Sequence, residues 1–547
     1  MRGLLAPETG DFEAQRRAFQ WQIPPEFNIA QAVCHQNGAD DDAIALYYEN
    51  HAGLERRYTF GQLREYANRL ANALQAQGVD KGDRVAIILS QRPETAIAHI
   101  AIYSIGAIAV PLSILFGSDA LQYRLENSGA RVVITDATRL PVVEDVHPRL
   151  PELETLLVCE ADGEAGSFWE CLREGANATP DVVTCPDDPA LLIYTSGTTG
   201  PPKGALVAHR SLIGNLTGFE LSQNFYAQTG GLFWTPADWA WTGGLLDALL
   251  PALYYGKPVL GYEGKGAFDP ERAFELMAKY GVRNAFIPPT AMKMLMQVPD
   301  EKRPECPLRV IMSAGEAVGE QIIHWAQEKL QVPVNEMWGQ TEFNYLVGNC
   351  SAILPVKPGS MGRPYPGHWV EPIDEAGNPM PTGEIGELAA HRDDPVMFLG
   401  YWKNDEATRS KCLGEWFLTG DLGYRDEEGY LWFVGRKDDV ISSAGYRIGP
   451  TEIEDCLIKH PKVAQAAVIG VPDELRGNII KAYLVLAKGV EPSEELTRDI
   501  QNSVRNRLAA YEYPREIEYI DELPLTTTGK VRRTELREMD RRKRGQS

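Results

Sequence analysis

Between Tyr58 and Glu328, short runs rich in Val, Ile and Leu alternate with longer segments of helical periodicity. That alternation confines the chain to mostly parallel sheets covered by helices on both faces. The spacing predicts a helix over 59–77, a strand over 84–89, a helix over 93–105 and a strand over 107–112. A helix over 118–128 and strands over 131–135, 155–158 and 190–193 follow. After residue 204 the pattern resumes with strand 258–261, helix 270–280, strands 284–287 and 309–313, and helix 319–328. Residues 95–116 carry no Asp, Glu, Lys or Arg and are numerous enough to span a bilayer. Gly106 and Pro111 interrupt them, so a buried helix and strand are expected rather than a membrane span.

Past residue 365 the character changes to Gly- and Pro-rich turns with short strands over 386–390 and 430–434, which read as a small β subdomain. At Gly435-Arg436-Lys437-Asp438-Asp439 a polar turn opens a fresh αβ pattern. The expected architecture is α/β: a large N-terminal domain, 1–435, of two helix-covered mostly parallel sheets plus the β subdomain. A small mobile α+β C-terminal domain, 436–547, follows it. A net charge of −22 argues against nucleic acid as a partner. The eight cysteines contain no Cys-x-x-Cys pair, which argues against a zinc knuckle and suits reduced, buried thiols in the cytoplasm. Acidic residues precede any long apolar run at the start, so no secretory signal is read there. The basic run 537–544 reads as a solvated helix end in preference to a phosphate site.

The chemistry begins at Tyr194-Thr195-Ser196-Gly197-Thr198-Thr199-Gly200-Pro201-Pro202-Lys203-Gly204, directly after an apolar strand. Glycines let backbone N–H groups approach phosphate oxygens, hydroxyls donate further bonds, and Lys203 brings positive charge. The spacing fails the Walker A pattern, because Gly204 stands where a Ser or Thr would hold magnesium. Further on come Ser313-Ala314-Gly315-Glu316-Ala317, Asn335-Glu336-Met337-Trp338-Gly339-Gln340-Thr341-Glu342, Trp416-Phe417-Leu418-Thr419-Gly420-Asp421 and Pro524-Leu525-Thr526-Thr527-Thr528-Gly529-Lys530-Val531. Five segments in this order resemble the acyl-adenylate-forming superfamily, closest to medium-chain acyl-CoA synthetases and related to acetyl-CoA synthetases. The resemblance covers nearly the whole chain.

The resemblance implies a set of roles. ATP or AMP would be held by Thr195, Ser196, Gly197, Thr198, Thr199, Gly200 and Lys203, and by Gly315, Glu316 and Ala317 beside adenine. Glu336, Met337, Trp338, Gly339, Gln340 and Thr341 would complete the adenine and α-phosphate face, with Glu342 on Mg²⁺. Asp421 and Arg436 would meet the ribose, since one carboxylate can accept both hydroxyls of a vicinal diol. Lys530 would bridge the substrate carboxylate and the α-phosphate, making Lys530, Thr341 and Lys203 the catalytic set. Asp438 would be the hinge. After rotation about it, Ser443, Ala444, Gly445, Tyr446 and Arg447, with Arg476, would line the path for coenzyme A.

The acid itself is less constrained. Gly339 stands where acetyl-CoA synthetases carry a bulky Trp, so a short- to medium-chain or branched acid is expected over acetate, as in fatty acid metabolism. Trp239, Trp241 and Gly243 are candidate pocket walls, and aromatic walls suit an apolar chain or an aryl acid equally. For Trp239 and Trp241, core packing is an equal alternative, and His209 reads as a structural histidine. An aryl-CoA ligase and a carrier-protein-loading enzyme therefore remain open. So does a monomer or a homodimer. From a different class, a non-catalytic nucleotide-binding module is disfavoured by Lys530, whose charge such a module would not need.

Overall fold

The computed structural model describes residues 3–160, 164–195, 201–437, 439, 441–443, 446–473, 477–507, 513–526 and 529–545. Of residues 442, 443, 446, 447, 452, 477 and 506 it describes the backbone alone. The chain divides into two compact units, Met1–Val370 with His391–Glu415, and Glu371–Ala390 with Trp416–Ser547.

The first unit holds two sheets. One is seven-stranded, in the order Gly400–Tyr401, Lys203–Ala208, Pro189–Thr195, Ile108–Pro111, Arg84–Ile88, Val132–Asp136, Thr155–Cys159. Its strands pair in parallel from Pro189–Thr195 onward, and the first two pairings are antiparallel. The other sheet runs Ser360–Pro364, Phe343–Gly348, Val334–Gln340, Val310–Ala314, Asn284–Phe286, Phe233–Trp234, Val259–Glu263, Ile44–Asn50, Glu55–Thr59. Its central pairings are parallel and its outer ones antiparallel.

Local chemistry explains the helix ends. Helix Phe60–Ala76 starts at a reciprocal capping box, in which Thr59 accepts from the Gln62 N–H and Gln62 accepts from the Thr59 N–H. Helix Pro270–Tyr280 is capped by Asp269, begins on proline and stops at Gly281 with φ +71°. Helix Pro93–Ser104 is buried on every side, which accounts for its membrane-like composition. Among the described residues no helix is long and apolar enough to cross a membrane.

One helix departs from its expected form. The segment read as 319–328 is α-helical over Glu320–Trp325 and then widens into a π turn, Ala326–Leu330. A second π turn, Leu245–Leu249, joins Thr242–Gly244 to Leu250–Tyr254. Each π turn spans only five residues, too short for a departure from the 3.6-residue period to register in the sequence.

The second unit contains the strands Trp416–Arg425 and Leu431–Arg436, paired antiparallel. It also holds a three-stranded sheet of Val463–Asp473, Gly477–Leu486 and Glu516–Tyr519. Helices Pro450–Ile458, Glu494–Arg507 and Arg533–Lys543 complete it. The basic run 537–544 is ion-paired inside this unit: Arg537 with Asp439 at 2.5 Å, Arg544 with Asp540 at 2.6 Å, and Lys543 with Glu518.

Candidate active site

The first unit brings three of the motif segments into one structure. Strands Pro189–Thr195 and Lys203–Ala208 run antiparallel with Thr195 opposite Lys203, so the stem of the hydroxyl-rich loop is a ladder. Ser196, Gly197, Thr198, Thr199 and Gly200 lie outside the described residues. The Lys203 ammonium stands 5.4 Å from the ring centroid of Tyr401. The Tyr401 hydroxyl donates to Glu342 Oε1 at 2.5 Å. One tyrosine thus links the loop lysine to the carboxylate read as the magnesium ligand.

Tyr401 escaped the sequence reading. It lies in an apolar run, Phe398-Leu399-Gly400-Tyr401-Trp402, and arrives at the site only because Gly400–Tyr401 pairs with Leu206 and Ala205 across nearly 200 residues of chain. Nothing local marks it.

The segments containing Gly315 and Gly339 are joined by parallel strands, with Ser313 beside Glu336 and Ala314 beside Met337. Glu336 Oε1 accepts from the Val318 N–H at 3.2 Å and so pins the turn that carries Gly315, Glu316 and Ala317. Gly315 adopts φ +97° with open space where a Cβ would stand, so the backbone conformation, not crowding, calls for glycine. Glu316 accepts from the Thr290 hydroxyl at 3.2 Å.

Strand Val334–Gln340 turns back through Thr341 and Glu342 into Phe343–Gly348, with Gln340 opposite Phe343 and a bulge between Trp338 and Gln340. Thr341 and Glu342 are therefore the two tip residues of a hairpin. Gly339 sits in the bulge. A Cβ there would stand 3.0 Å from Tyr345 N and 3.2 Å from Asn344 Cα. The missing side chain points at the returning strand of its own hairpin.

Trp239 is fully buried, which favours its packing role, and its Nε1 has no hydrogen-bond partner. Trp241 is half-buried and meets Phe116 edge-on at 5.9 Å. A Cβ on Gly243 would come within 2.6 Å of the Phe286 ring, a close approach that only glycine permits. His209 is fully buried, its Nδ1 accepts from the Ile29 N–H at 3.1 Å, and burial lowers its pKa to about 4. Its Nε2 is buried without a hydrogen-bond partner.

The second unit holds the other group. Asp421 and Arg436 face one another across the strand pair, with Arg436 Nη1 donating to Asp421 Oδ1 at 2.8 Å. Gly420, at φ +78°, makes way for the guanidinium, which would lie 2.8 Å from a Cβ. Glu387, absent from the sequence reading, accepts from the Gly420 N–H at 3.0 Å and from the Lys437 ammonium at 2.8 Å. Lys530 is exposed at a tight turn, its N–H donating to Thr526 Oγ1 at 3.0 Å. Asp438, Ala444, Gly445 and Arg476 lie outside the described residues, and of Ser443, Tyr446 and Arg447 only the backbone is described, in which Ser443 pairs with Tyr446.

The donor set suits a hard divalent cation in one respect. Magnesium binds through one or two carboxylates and completes its shell with phosphate oxygens and water, and Glu342 is an oxygen donor fixed by Tyr401. Among the described residues there is no cluster of three or more His, Cys, Asp or Glu for a protein-only metal cage.

A family model described as AMP-binding enzyme matches residues 33–402, and one described as AMP-binding enzyme C-terminal domain matches 452–530. An acetyl-coenzyme A synthetase of Bacillus subtilis (strain 168) is 36% identical, over 92% of this chain and 88% of that protein. The mitochondrial acyl-coenzyme A synthetase ACSM3 of Rattus norvegicus is 33% identical over 98% of this chain and 94% of that one. Among solved structures, an anthranilate CoA ligase in complex with anthranoyl-AMP superposes with a TM-score of 0.85 at 29% identity, covering 96% of this chain and 99% of that chain.

Proposed function

Because this chain belongs to the AMP-binding enzyme family, we propose that it is an ATP-dependent acyl-CoA synthetase, joining a carboxylic acid to coenzyme A through an acyl-adenylate. It is an enzyme, an AMP-forming acid–thiol ligase. The single observation that carries the reading is Tyr401 linking Lys203 to Glu342, since it sets a cation and an acidic oxygen donor about one side chain, as a nucleotide polyphosphate requires.

A carboxylate is a poor acylating agent because oxide is a poor leaving group. In the first step a carboxylate oxygen attacks the α-phosphorus in line and pyrophosphate leaves with the P–O bonding pair. This needs positioning and charge stabilisation more than covalent help. Lys203 and the 195–199 donors hold the leaving pyrophosphate, Thr341 orients the α-phosphate or carboxylate, and Asp421 with Arg436 hold the ribose. Lys530 stands between the two anions that must meet. Glu342 would hold Mg²⁺, which when bound would neutralise further phosphate charge. In the second step the thiol of coenzyme A gives its proton to solvent, the sulfur adds to the acyl carbonyl carbon, and the C–O bond to AMP breaks with its electron pair leaving on the AMP phosphate oxygen. Asp438 as hinge, the 435/436 boundary, and Ser443–Arg447 with Arg476 as the thiol path belong to this proposal. A cytoplasmic location belongs to it too, and all eight cysteines are free.

We keep an acid larger than acetate as the expected substrate, on the absence of a bulky side chain at residue 339. Acid-dependent ATP–pyrophosphate exchange with octanoate, butyrate, benzoate and acetate tests it. Octanoate, butyrate or benzoate should lead; a decisive win for acetate overturns the size reading. Exchange with none of the acids would return the nucleotide-binding module to first place. Tyr401→Phe keeps the ring over Lys203 and removes the hydroxyl on Glu342. It should raise the Mg²⁺ concentration for half-maximal exchange roughly tenfold, the order expected for one hydrogen bond to a charged group. An unchanged Mg²⁺ dependence would detach Glu342 from the metal.

A further inference from the structure

Asn215, Asp247 and Asn344 are buried polar residues, with relative exposures of 0%, 3% and 5%. They come from three different elements: helix Ser211–Ser222, π turn Leu245–Leu249 and strand Phe343–Gly348. Asn344 Nδ2 donates to Asp247 Oδ1. Asn215 Nδ2 reaches the carbonyl of Leu246, in the same π turn, at the outer limit of 3.5 Å. Asn215 Oδ1 has no hydrogen-bond partner.

The trio borders both glycines assigned to the acyl pocket. Asp247 lies one helical turn beyond Gly243 in the continuous helical run 242–254. Asn344 Cα is the atom 3.2 Å from a Cβ on Gly339. Tyr345, immediately after Asn344, is held at φ +54°, a left-handed conformation costly for an aromatic residue and concentrated at functional sites. The π turn belongs to a class of irregularity with the same tendency.

A purely structural role would account for the Asn344–Asp247 bond. It leaves Asn215 Oδ1 buried and unbonded, which a folded chain disfavours. Burial also pushes the Asp247 carboxyl well above the usual carboxylate range, against the Asn344 hydrogen bond, which lowers it. The complement to this set is a small group with an O–H or N–H for Asn215 Oδ1 and a polar atom beside the Asp247 carboxyl.

We propose that Asn215, Asp247 and Asn344 bind the far end of the acid, and that the substrate class is a carboxylic acid bearing a hydroxyl or amino group remote from its carboxylate. This rests on the acyl-CoA synthetase reading and narrows it. A methyl-terminated acid would leave the asparagine oxygen unbonded in an apolar wall. Sites built to bond a substrate hydroxyl discriminate strongly against the analogue that lacks it.

The test uses matched acids in pyrophosphate exchange: hexanoate with 6-hydroxyhexanoate, and benzoate with 3-hydroxybenzoate and 3-aminobenzoate. In the wild-type protein at least one functionalised acid should exceed its plain partner in kcat/KM by about tenfold or more. Asn215→Leu should lower that ratio by about tenfold, and its Tm should not fall, since an unbonded buried oxygen is removed. A plain acid preferred in both sets overturns the proposal. So does an unchanged ratio in Asn215→Leu, which would mean that the trio holds only a buried water. Should that variant fail to fold, the wild-type ratios still decide. If no acid of either kind drives exchange, the acyl-CoA synthetase reading itself fails, a result distinct from a preference for plain acids.

Discussion

Lys530→Ala is expected to slow acid-dependent pyrophosphate exchange by about a hundred- to a thousandfold, the cost of removing one preorganised charge from a transition state. Thioester formation from supplied acyl-adenylate and coenzyme A should be retained. The substitution separates chemistry from folding because the turn is held by its backbone. Thr526 N–H donates to Lys530 O at 2.7 Å, Gly529 N–H to Thr526 O at 3.0 Å, and Lys530 N–H to the Thr526 hydroxyl. Leu525 and Val531 form a bridge on either side, and Gly529 takes φ +85°. Alanine keeps all of these and deletes only the exposed ammonium. Equal loss of both half-reactions would show that the lysine does not belong to adenylation alone, and would count against two conformations of the second unit.

Acidification is expected to remove a contribution that three buried histidines make to the stability of the first unit. Burial lowers the pKa of His35 to about 4, of His99 to about 3 and of His209 to about 4. Each has a buried ring nitrogen without a partner: His35 Nδ1, His99 Nε2 and His209 Nε2. Around His209, Asp188 and Lys81 act in opposite directions and leave burial to decide. Folded pKa values below the unfolded value of 6.5 mean that the unfolded chain binds protons first. Their contribution is complete above pH 6.5 and is lost as pH falls toward 4. Glu220 acts the other way. Enclosed against the Tyr255 hydroxyl and the N–H groups of Leu4 and Leu5, it is raised to about 7, so it contributes most below pH 4.5 and loses that contribution as pH rises through 7. From pH 7 to pH 5 the three histidines remove about 6 kcal/mol, Glu220 returns about 2, and the raised carboxyls of Asp238 and Asp247 act in the same direction as Glu220. Denaturant unfolding at the two pH values measures the balance. His99→Phe should flatten the dependence, and an unflattened curve would assign the acid sensitivity elsewhere.

The elements legible in the sequence are those with local punctuation. Helices Ser118–Ser128 and Pro270–Tyr280 end where their sequence expectations end, because Gly129 and Gly281 each take a left-handed C-terminal position. The strands Lys203–Ala208, Phe343–Gly348 and Ile44–Asn50 were not read, since their apolar runs are short and their partners are supplied by pairing, in the last case with Val259–Glu263. The site divides in the same way. Lys203, Thr341, Glu342, Asp421 and Lys530 stand in dense runs of glycines and hydroxyls, whereas Tyr401, Glu387, Asn215 and Asp247 are ordinary residues whose importance comes from what the fold sets beside them. The close approach of Tyr345 to Gly339 was not legible, because it depends on a bulge that no spacing reveals.

That bulge bears on how such an enzyme diversifies. With a backbone nitrogen 3.0 Å from the first atom of any side chain, a residue larger than glycine at 339 needs the returning strand to give by a few tenths of an ångström. A lineage under selection for a new acid would therefore change the hairpin that carries Thr341 and Glu342 together with the side chain at 339. Single substitutions should be absorbed more readily where they leave the strands in place, at Asn215 on its helix and Asp247 in its π turn. Libraries built on those two positions should yield altered acid preference more often than libraries built on 339 alone.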